Sequence, residues 1–416
     1  MVGNQAAIRI PQIDYPDFCS RYYTITARLV YSGTHVLVFE DAAAPLARTM
    51  DDSYRALGME FDAVMWPKLR AAFGNPLSLD SLLDANGRIA MVFSHIVNSF
   101  GPSGFVVSCD FYPETIAPAS NTGEILYAIA PTAPGTGFGA LTKDVWRWLI
   151  RSVVMHEAKH LVSYSEHLSR GAPLEETWLE EGSAVVAEEL WSRGVYGTTW
   201  KGNASYRQTL YCDVRPTFTE CAGRPYSMFN GFAFLYDYAQ YDRTHSPLGP
   251  VSFDDATYYG SSWSLLRWAV DQYAGTEEGF LSALTQEPSL TGVANLSART
   301  GHPFPEMARD WFAAVLSDDA YAPNRPQLNF PSWNLRDEFS GMHDDFPGEF
   351  SWTFPLSGYY FLFGDFLTEG GGPIRGGSSS LFNLSGSQLG TQLLEVRRTG
   401  GGLPAPETTL QILRVQ

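Results

Sequence analysis

Residues 144–167 contain no proline or glycine, and their apolar side chains fall at Trp146, Leu149, Ile150, Val153, Val154, Leu161 and Tyr164. That three-to-four-residue spacing is the period of one helix face. The stretch contains His156-Glu157-Ala158-Lys159-His160. On a helix, four residues of about 1.5 Å rise each bring both imidazoles to the same side, one turn apart, with a carboxylate beside them. This is how a helix presents two histidines to a zinc ion. Two ligands leave such a site incomplete, because catalytic zinc usually takes three protein ligands and a water. The fold must therefore bring a second segment against this helix.

Where that segment lies follows partly by exclusion. A metzincin pattern would continue through a glycine to a third histidine, but Ser163 and Glu166 stand in those places. His167 would sit about 10 Å further along a continuing helix, too far to share the ion. The stretch Glu175-Glu176-Thr177-Trp178-Leu179-Glu180-Glu181-Gly182-Ser183-Ala184 opens a second helical pattern running to about residue 191. A carboxylate from it can close the site, and both Glu180 and Glu181 are candidates.

These two motifs together resemble the gluzincins, zinc peptidases with two histidines and a glutamate as ligands. In their Trp-Leu-Asn-Glu-Gly form the glutamate before the glycine binds the metal. The resemblance maps this role to Glu181 and leaves Glu180 in the asparagine place. His156, His160 and Glu181 are thus the expected ligands of one Zn2+. Glu188, seven residues beyond Glu181, matches a glutamate that zinc aminopeptidases keep to orient a ligand histidine. Val185 stands where the thermolysin pattern has an aspartate. Gly101-Pro102-Ser103-Gly104-Phe105 and Asn121-Thr122-Gly123-Glu124-Ile125-Leu126-Tyr127 resemble the hyicolysin-like family of bacterial secreted metallopeptidases, over about residues 30–320. The implied fold is α+β: a two-lobed, thermolysin-like catalytic domain over residues 1–322, with an α/β lobe to about 165 and a helical lobe after it.

In such a site Glu157, not itself a ligand, is the expected general base. The oxyanion needs a further donor. Tyr258 and Tyr259 are the candidates; Tyr259 is similar in placement to the transition-state tyrosine of zinc aminopeptidases, although Ser262 replaces that family's glycine. His245 is a second possible donor. Nothing matches the Gly-x-Met-Glu-Asn strand by which aminopeptidases hold a free amine, so endopeptidase action on a protein or peptide is expected. Residues 123–130 read as a strand, expected at a sheet edge where an extended peptide could pair. A catalytically silent protein-binding module and a hydrolase of non-peptide amides or esters are the alternatives.

Composition narrows the partners. A net charge of −17 argues against nucleic acid and anionic membranes. No stretch approaches 18 uninterrupted apolar residues, so no membrane span is expected, and a monomer is. Four cysteines suggest two disulfides, Cys212 with Cys221 and Cys19 with Cys109. A secreted or cell-surface protein of bacterial type is the expectation, although Met1-Val2-Gly3-Asn4-Gln5 lacks a signal pattern.

Residues 1–20 read as an irregular lead-in, 31–39 as a strand, 51–73 as a helix and 89–97 as a strand. Asp80, Asp84 and Asn86 faintly suggest calcium ligands, with a hairpin turn as the plainer account. After the helical segment ending near residue 316, residues 322–326 read as a linker. A small all-β sandwich is expected over 335–416, with strands at 359–363, 393–397 and 409–415 and a mobile glycine loop at 370–373.

Overall fold

The computed structural model describes every residue except 134–140, 253, 288, 321–324, 357, 363–373, 386–394, 399 and 414–416. The fold is mixed α+β. Three strands open it: β1 (Gln5–Pro11), β2 (Tyr22–Ser32) and β3 (Val36–Asp41), followed by helices α1 (Asp51–Glu60) and α2 (Trp66–Ala72). Then come β4 (Ile89–Ser94), β5 (Gly104–Phe105) and β6 (Ile125–Ile129). The six strands form one sheet in the order β1-β2-β3-β4-β6-β5, with β3-β4 and β4-β6 parallel and the other pairs antiparallel.

The lead-in is irregular only in part: Ile8 and Ile10 alternate inward in β1, which pairs with β2, while residues 12–20 carry neither strand nor helix. The strand expected over 31–39 is two strands joined by a tight turn at Gly33. The Asp62 carboxylate accepts the turn's N–H groups of Thr34 (2.9 Å) and His35 (2.8 Å). Asp62 lies in a π-helical turn, Phe61–Met65, that joins α1 to α2 just before Pro67. A helix expected as regular thus widens where a proline removes an N–H from the ladder. The strand expected over 123–130 exists, but β6 is paired on both sides. The edge is β5, whose Gly104 and Phe105 pair with Ala128 and Tyr127.

Helix α3 (Lys143–Ser169) starts at Thr142, whose side chain accepts the Val145 N–H at 3.3 Å, a cap that satisfies one of the free first-turn donors. Trp146 fixes it to the sheet: its indole donates to the Ile129 carbonyl (2.8 Å) while its ring packs edge-on against Tyr54 and Phe93. The remaining helices are α4 (Thr177–Tyr196), α5 (Leu210–Asp213), α6 (Phe229–Gln240), α7 (Thr257–Tyr273), α8 (Glu277–Gln286), α9 (Gly292–Thr300), α10 (Phe304–Ser317) and α11 (Leu335–Asp345). Beneath α4, the buried Glu189 carboxylate accepts from Arg193 (2.6 Å), Arg267 (2.8 Å) and the indoles of Trp263 (2.9 Å) and Trp333 (3.1 Å). That single side chain links α4 to α7 and to the start of α11. Disulfides join Cys19 to Cys109 and Cys212 to Cys221. No helix among the described residues is long and apolar enough to cross a membrane.

Residues 335–345, expected within the all-β part, form α11. Asn334 accepts the Asp337 N–H (2.8 Å), acidic residues fill the first turn, and Leu335, Phe339 and Met342 turn one apolar face inward. Beyond it, β7 (Tyr359–Leu362) pairs in parallel with β8 (Phe382–Ser385). Residues 395–397 and 409–413 carry no strand. The rest of those expected strands, residues 322–324 of the linker and the 370–373 loop lie outside the described residues.

The helices around α4 approach closely because two glycines allow it. A Cβ at Gly182 would meet the Ser262 backbone carbonyl carbon at 2.9 Å, and one at Gly260 would meet the Leu235 nitrogen at 2.2 Å. Gly194, exposed on α4, has open space. Gly260→Ala is therefore expected to destabilise the protein by about 1–3 kcal/mol or more, and Gly194→Ala to stabilise it by about 0.5–1 kcal/mol, as read by urea denaturation.

Candidate metal centre

Helices α3 and α4 meet at the two sequence motifs. From α3, His156 and His160 project as neighbours, with ring centroids 4.9 Å apart. From α4, one oxygen of Glu181 lies 3.1 Å from His156 Nε2 and 3.5 Å from His160 Nε2. These three residues form a group able to hold a metal ion. Zinc bonds of about 2.0–2.1 Å in a tetrahedron put ligand atoms about 3.3 Å apart, so the two separations fit that ion's shell. Glu181, not Glu180, converges with the imidazoles.

The other faces of both rings are also held. His156 Nδ1 lies 2.8 Å from Glu188 Oε1, and His160 Nδ1 lies 2.7 Å from Glu180 Oε1. A ring that donates its Nδ1–H to a carboxylate keeps the Nε2 lone pair for an ion and gains basicity. Seven residues on a helix are close to two turns, which is why Glu181 and Glu188 both face His156. Sequence reasoning left Glu180 as an alternative ligand and missed its role as the partner of His160. It also missed Lys159, which is 1% exposed and whose ammonium lies 2.7 Å from the other oxygen of Glu180. A lysine pointing inward from a helix face otherwise lined with ligands was the available signal.

The electrostatics follow from packing these groups together without water. Burial disfavours the Glu181 carboxylate, but His160 and His156 more than offset it and hold the group well below the usual carboxylate range. Glu180 is likewise opposed by burial and brought down to about 2 by Lys159 and His160. His160 loses solvation, yet Glu181 and Glu180 raise it to about 9; Glu181 and Glu188 hold His156 well above its ordinary value. Glu157 faces no such partner at hydrogen-bond distance among the described residues, and burial pushes its carboxyl upward. A Cβ on Gly104 would stand 2.9 Å from Glu157 Cγ, so the β5 backbone runs directly over this side chain.

Tyr259, in the first turn of α7, stacks near His156 with ring centroids 6.2 Å apart, and its ring lies 4.5 Å from that of Tyr258. Burial, then the Glu181 charge, raises both hydroxyls, Tyr258 to about 12 and Tyr259 further. Both stay protonated donors at neutral pH. His245 does not join the group: its ring neighbours are Thr244 (3.0 Å) and Tyr241.

The expected calcium ligands separate. Asp80 and Asp84 come together with Glu124, just ahead of β6. The Asn86 side chain is engaged in the local turn, its amide donating to the Asp84 carboxylate and its oxygen accepting the Arg88 N–H at 2.7 Å. Glu124 is 1% exposed, and burial pushes its carboxyl up to about 8. Comparison with protein-family models and with curated proteins returned no match.

Two outcomes follow from this geometry. Glu181→Ala should abolish stoichiometric metal binding, whereas Glu180→Ala and Glu188→Ala should keep it with about 10–100-fold weaker affinity, measured by equilibrium dialysis. The metal-free protein should also lose stability at alkaline pH. The folded pKa of His160, about 9, lies above the unfolded 6.5, so its contribution is complete below about pH 6.5 and vanishes as pH rises through about 9. Thermal midpoints of the chelated protein should fall across that window, and loading the metal should flatten the decline as the ion replaces the imidazole protons.

Proposed function

We propose that this chain is a zinc-dependent endopeptidase of gluzincin type, with a two-lobed, thermolysin-like catalytic domain, acting as a monomer outside the cell. The observation that carries the reading is the convergence of His156 Nε2, His160 Nε2 and Glu181 Oε2, at separations suited to zinc, beside the buried Glu157. A two-nitrogen, one-oxygen donor set suits zinc. The two disulfides are consistent with an oxidising compartment.

Zinc in this place would act as a Lewis acid and lower the pKa of a coordinated water from about 15.7 to about 7. Glu157 takes the proton of the attacking water and returns it to the leaving amine. Its burial, which raises its proton affinity, suits a group that must accept and then release one proton near neutral pH. Glu188 and Glu180 hold the two imidazoles in position through their Nδ1 atoms. Tyr259, protonated and beside His156, donates to the carbonyl oxygen as charge develops on it. Tyr258, packed on Tyr259, keeps that ring in place.

An extended substrate fits the free side of β5. Among the described residues this strand rather than β6 carries the unpaired edge, and Gly104 brings its backbone against Glu157. A peptide added to that edge is held by main-chain hydrogen bonds along its length, which favours cleavage within a chain over trimming of an amino end.

Glu157→Gln tests the reading. Wild type and variant should each carry one zinc, and the variant should cleave unfolded casein about 10²–10⁴-fold more slowly. Undiminished proteolysis by the variant would remove Glu157 as the base. A zinc-loaded wild type that cleaves no protein would overturn the peptidase assignment.

A further inference from the structure

The second acidic group lies in the sheet half of the molecule, where two loops meet. One runs from Asp80 to Arg88 and leads into β4; the other leads through Gly123 and Glu124 into β6. Asp80, Asp84 and Glu124 each offer a carboxylate oxygen, and these atoms all lie within 4.8 Å of one another. Among the described residues no lysine or arginine pairs with any of the three. Arg88 turns its guanidinium instead to the carbonyls of Gly33 (2.8 Å) and Asn86 (3.2 Å).

Acidic side chains often cluster at a surface without a ligand, but Glu124 is different. It is 1% exposed, and beyond its own backbone N–H no donor among the described residues reaches either carboxylate oxygen. Its backbone is not free to swing the group outward: the Glu124 carbonyl accepts the Ala90 N–H at 2.8 Å, and the Gly123 N–H donates to the Asp110 carbonyl at 3.0 Å. Nor is there room on the inner side of the turn, where a Cβ on Gly123 would meet Asp84 Oδ2 at 3.2 Å. The fold thus fixes a desolvated carboxylate with unused lone pairs facing two more carboxylates. Burying such a group without a partner costs several kcal/mol.

We infer that Asp80, Asp84 and Glu124 form a calcium site that ties the loop ahead of β4 to the loop ahead of β6. Hard carboxylate oxygens without nitrogen or sulfur select calcium over zinc. Asp84 is exposed, so water completes the six to eight oxygens that the ion takes. Asp80 also accepts the Gly87 N–H (2.9 Å) and Asp84 the Asn86 N–H (3.3 Å), which orients both carboxylates toward the gap before any ion arrives. The site is structural. β6 supports β5, the edge strand over Glu157, so an ion at the root of β6 stiffens the wall of the metal cleft from a distance.

The test uses the full chain with zinc already bound, so that the histidine centre cannot take up the second ion. Equilibrium dialysis against radioactive Ca2+ in calcium-free buffer should give one ion per chain, and saturating Ca2+ should raise the thermal midpoint by about 5 °C. Glu124→Gln and Asp84→Asn should each weaken Ca2+ binding at least tenfold and reduce the thermal shift accordingly. Without calcium, Glu124→Gln should melt no lower than wild type, because the amide neither buries a charge nor has to take up a proton to avoid one. The exposed Asp84 provides a variant that folds whatever happens at the buried position. Absence of saturable Ca2+ binding to wild type, or unchanged affinity in Asp84→Asn or in folded Glu124→Gln, would overturn the site.

Discussion

The balance of buried charge between α3 and α4 governs this molecule. Glu157, Glu180, Glu181 and Glu188 bring four carboxylates into one small volume against the single ammonium of Lys159. Three negative charges remain, and a protein interior cannot hold them unpaired. Two protonated imidazoles reduce the excess to one. A divalent cation between neutral imidazoles does the same. The upward displacement of both histidines is the sign of that requirement, and it sets protons and the ion in competition for the same imidazole nitrogens.

The rest of the fold keeps these charges together. Glu189, one residue beyond Glu188, points about 100° further round α4 and there anchors it to Arg193, Arg267 and two indoles. One helix thus carries a metal-facing carboxylate side and a structural carboxylate on another side. Gly182 removes the side chain that would hold α7 away, and the close crossing brings the Tyr258–Tyr259 turn to the rim of the metal group. On the sheet side, Trp146 fixes the height of α3 against β6, which places Glu157 under Gly104.

Much of this was legible in the chain because helices announce themselves through period and caps. The run from 144 to 167 places the two histidines on one helix face from spacing, whereas Glu181 and Glu188 were expected only through the gluzincin resemblance, and Glu180 as the partner of His160 was not foreseen. The sheet was less legible. A strand's edge or interior position depends on what pairs with it, and two residues at Gly104 and Phe105 are too short to show a pattern, yet they move the edge from β6 to β5. The first strand was hidden by its mostly exposed N-terminal half. Glu124 was invisible as a candidate ligand because it stands far from Asp80 and Asp84 along the chain, and only the parallel pairing of β4 with β6 brings their approaches together. Asn86, sequentially obvious, is consumed in the local turn. The α11 segment misled for another reason: its aromatic neighbours resemble strand content, while Asn334 and the spacing of Leu335, Phe339 and Met342 are helical.

Position 180 shows how one buried charge obliges another. Glu180 adds a buried negative charge next to the metal group. Lys159, between Glu157 and His160 on α3, supplies the compensating charge at 2.7 Å and also reaches the Glu180 carbonyl at 3.3 Å. Either residue alone is costly: a lone ammonium there weakens the hold on a cation, and a lone carboxylate is an unpaired buried charge. Paired, they form a fixed dipole whose negative end accepts the His160 Nδ1 proton. The result is a more basic imidazole than an amide partner would produce, and a stronger donor to the ion.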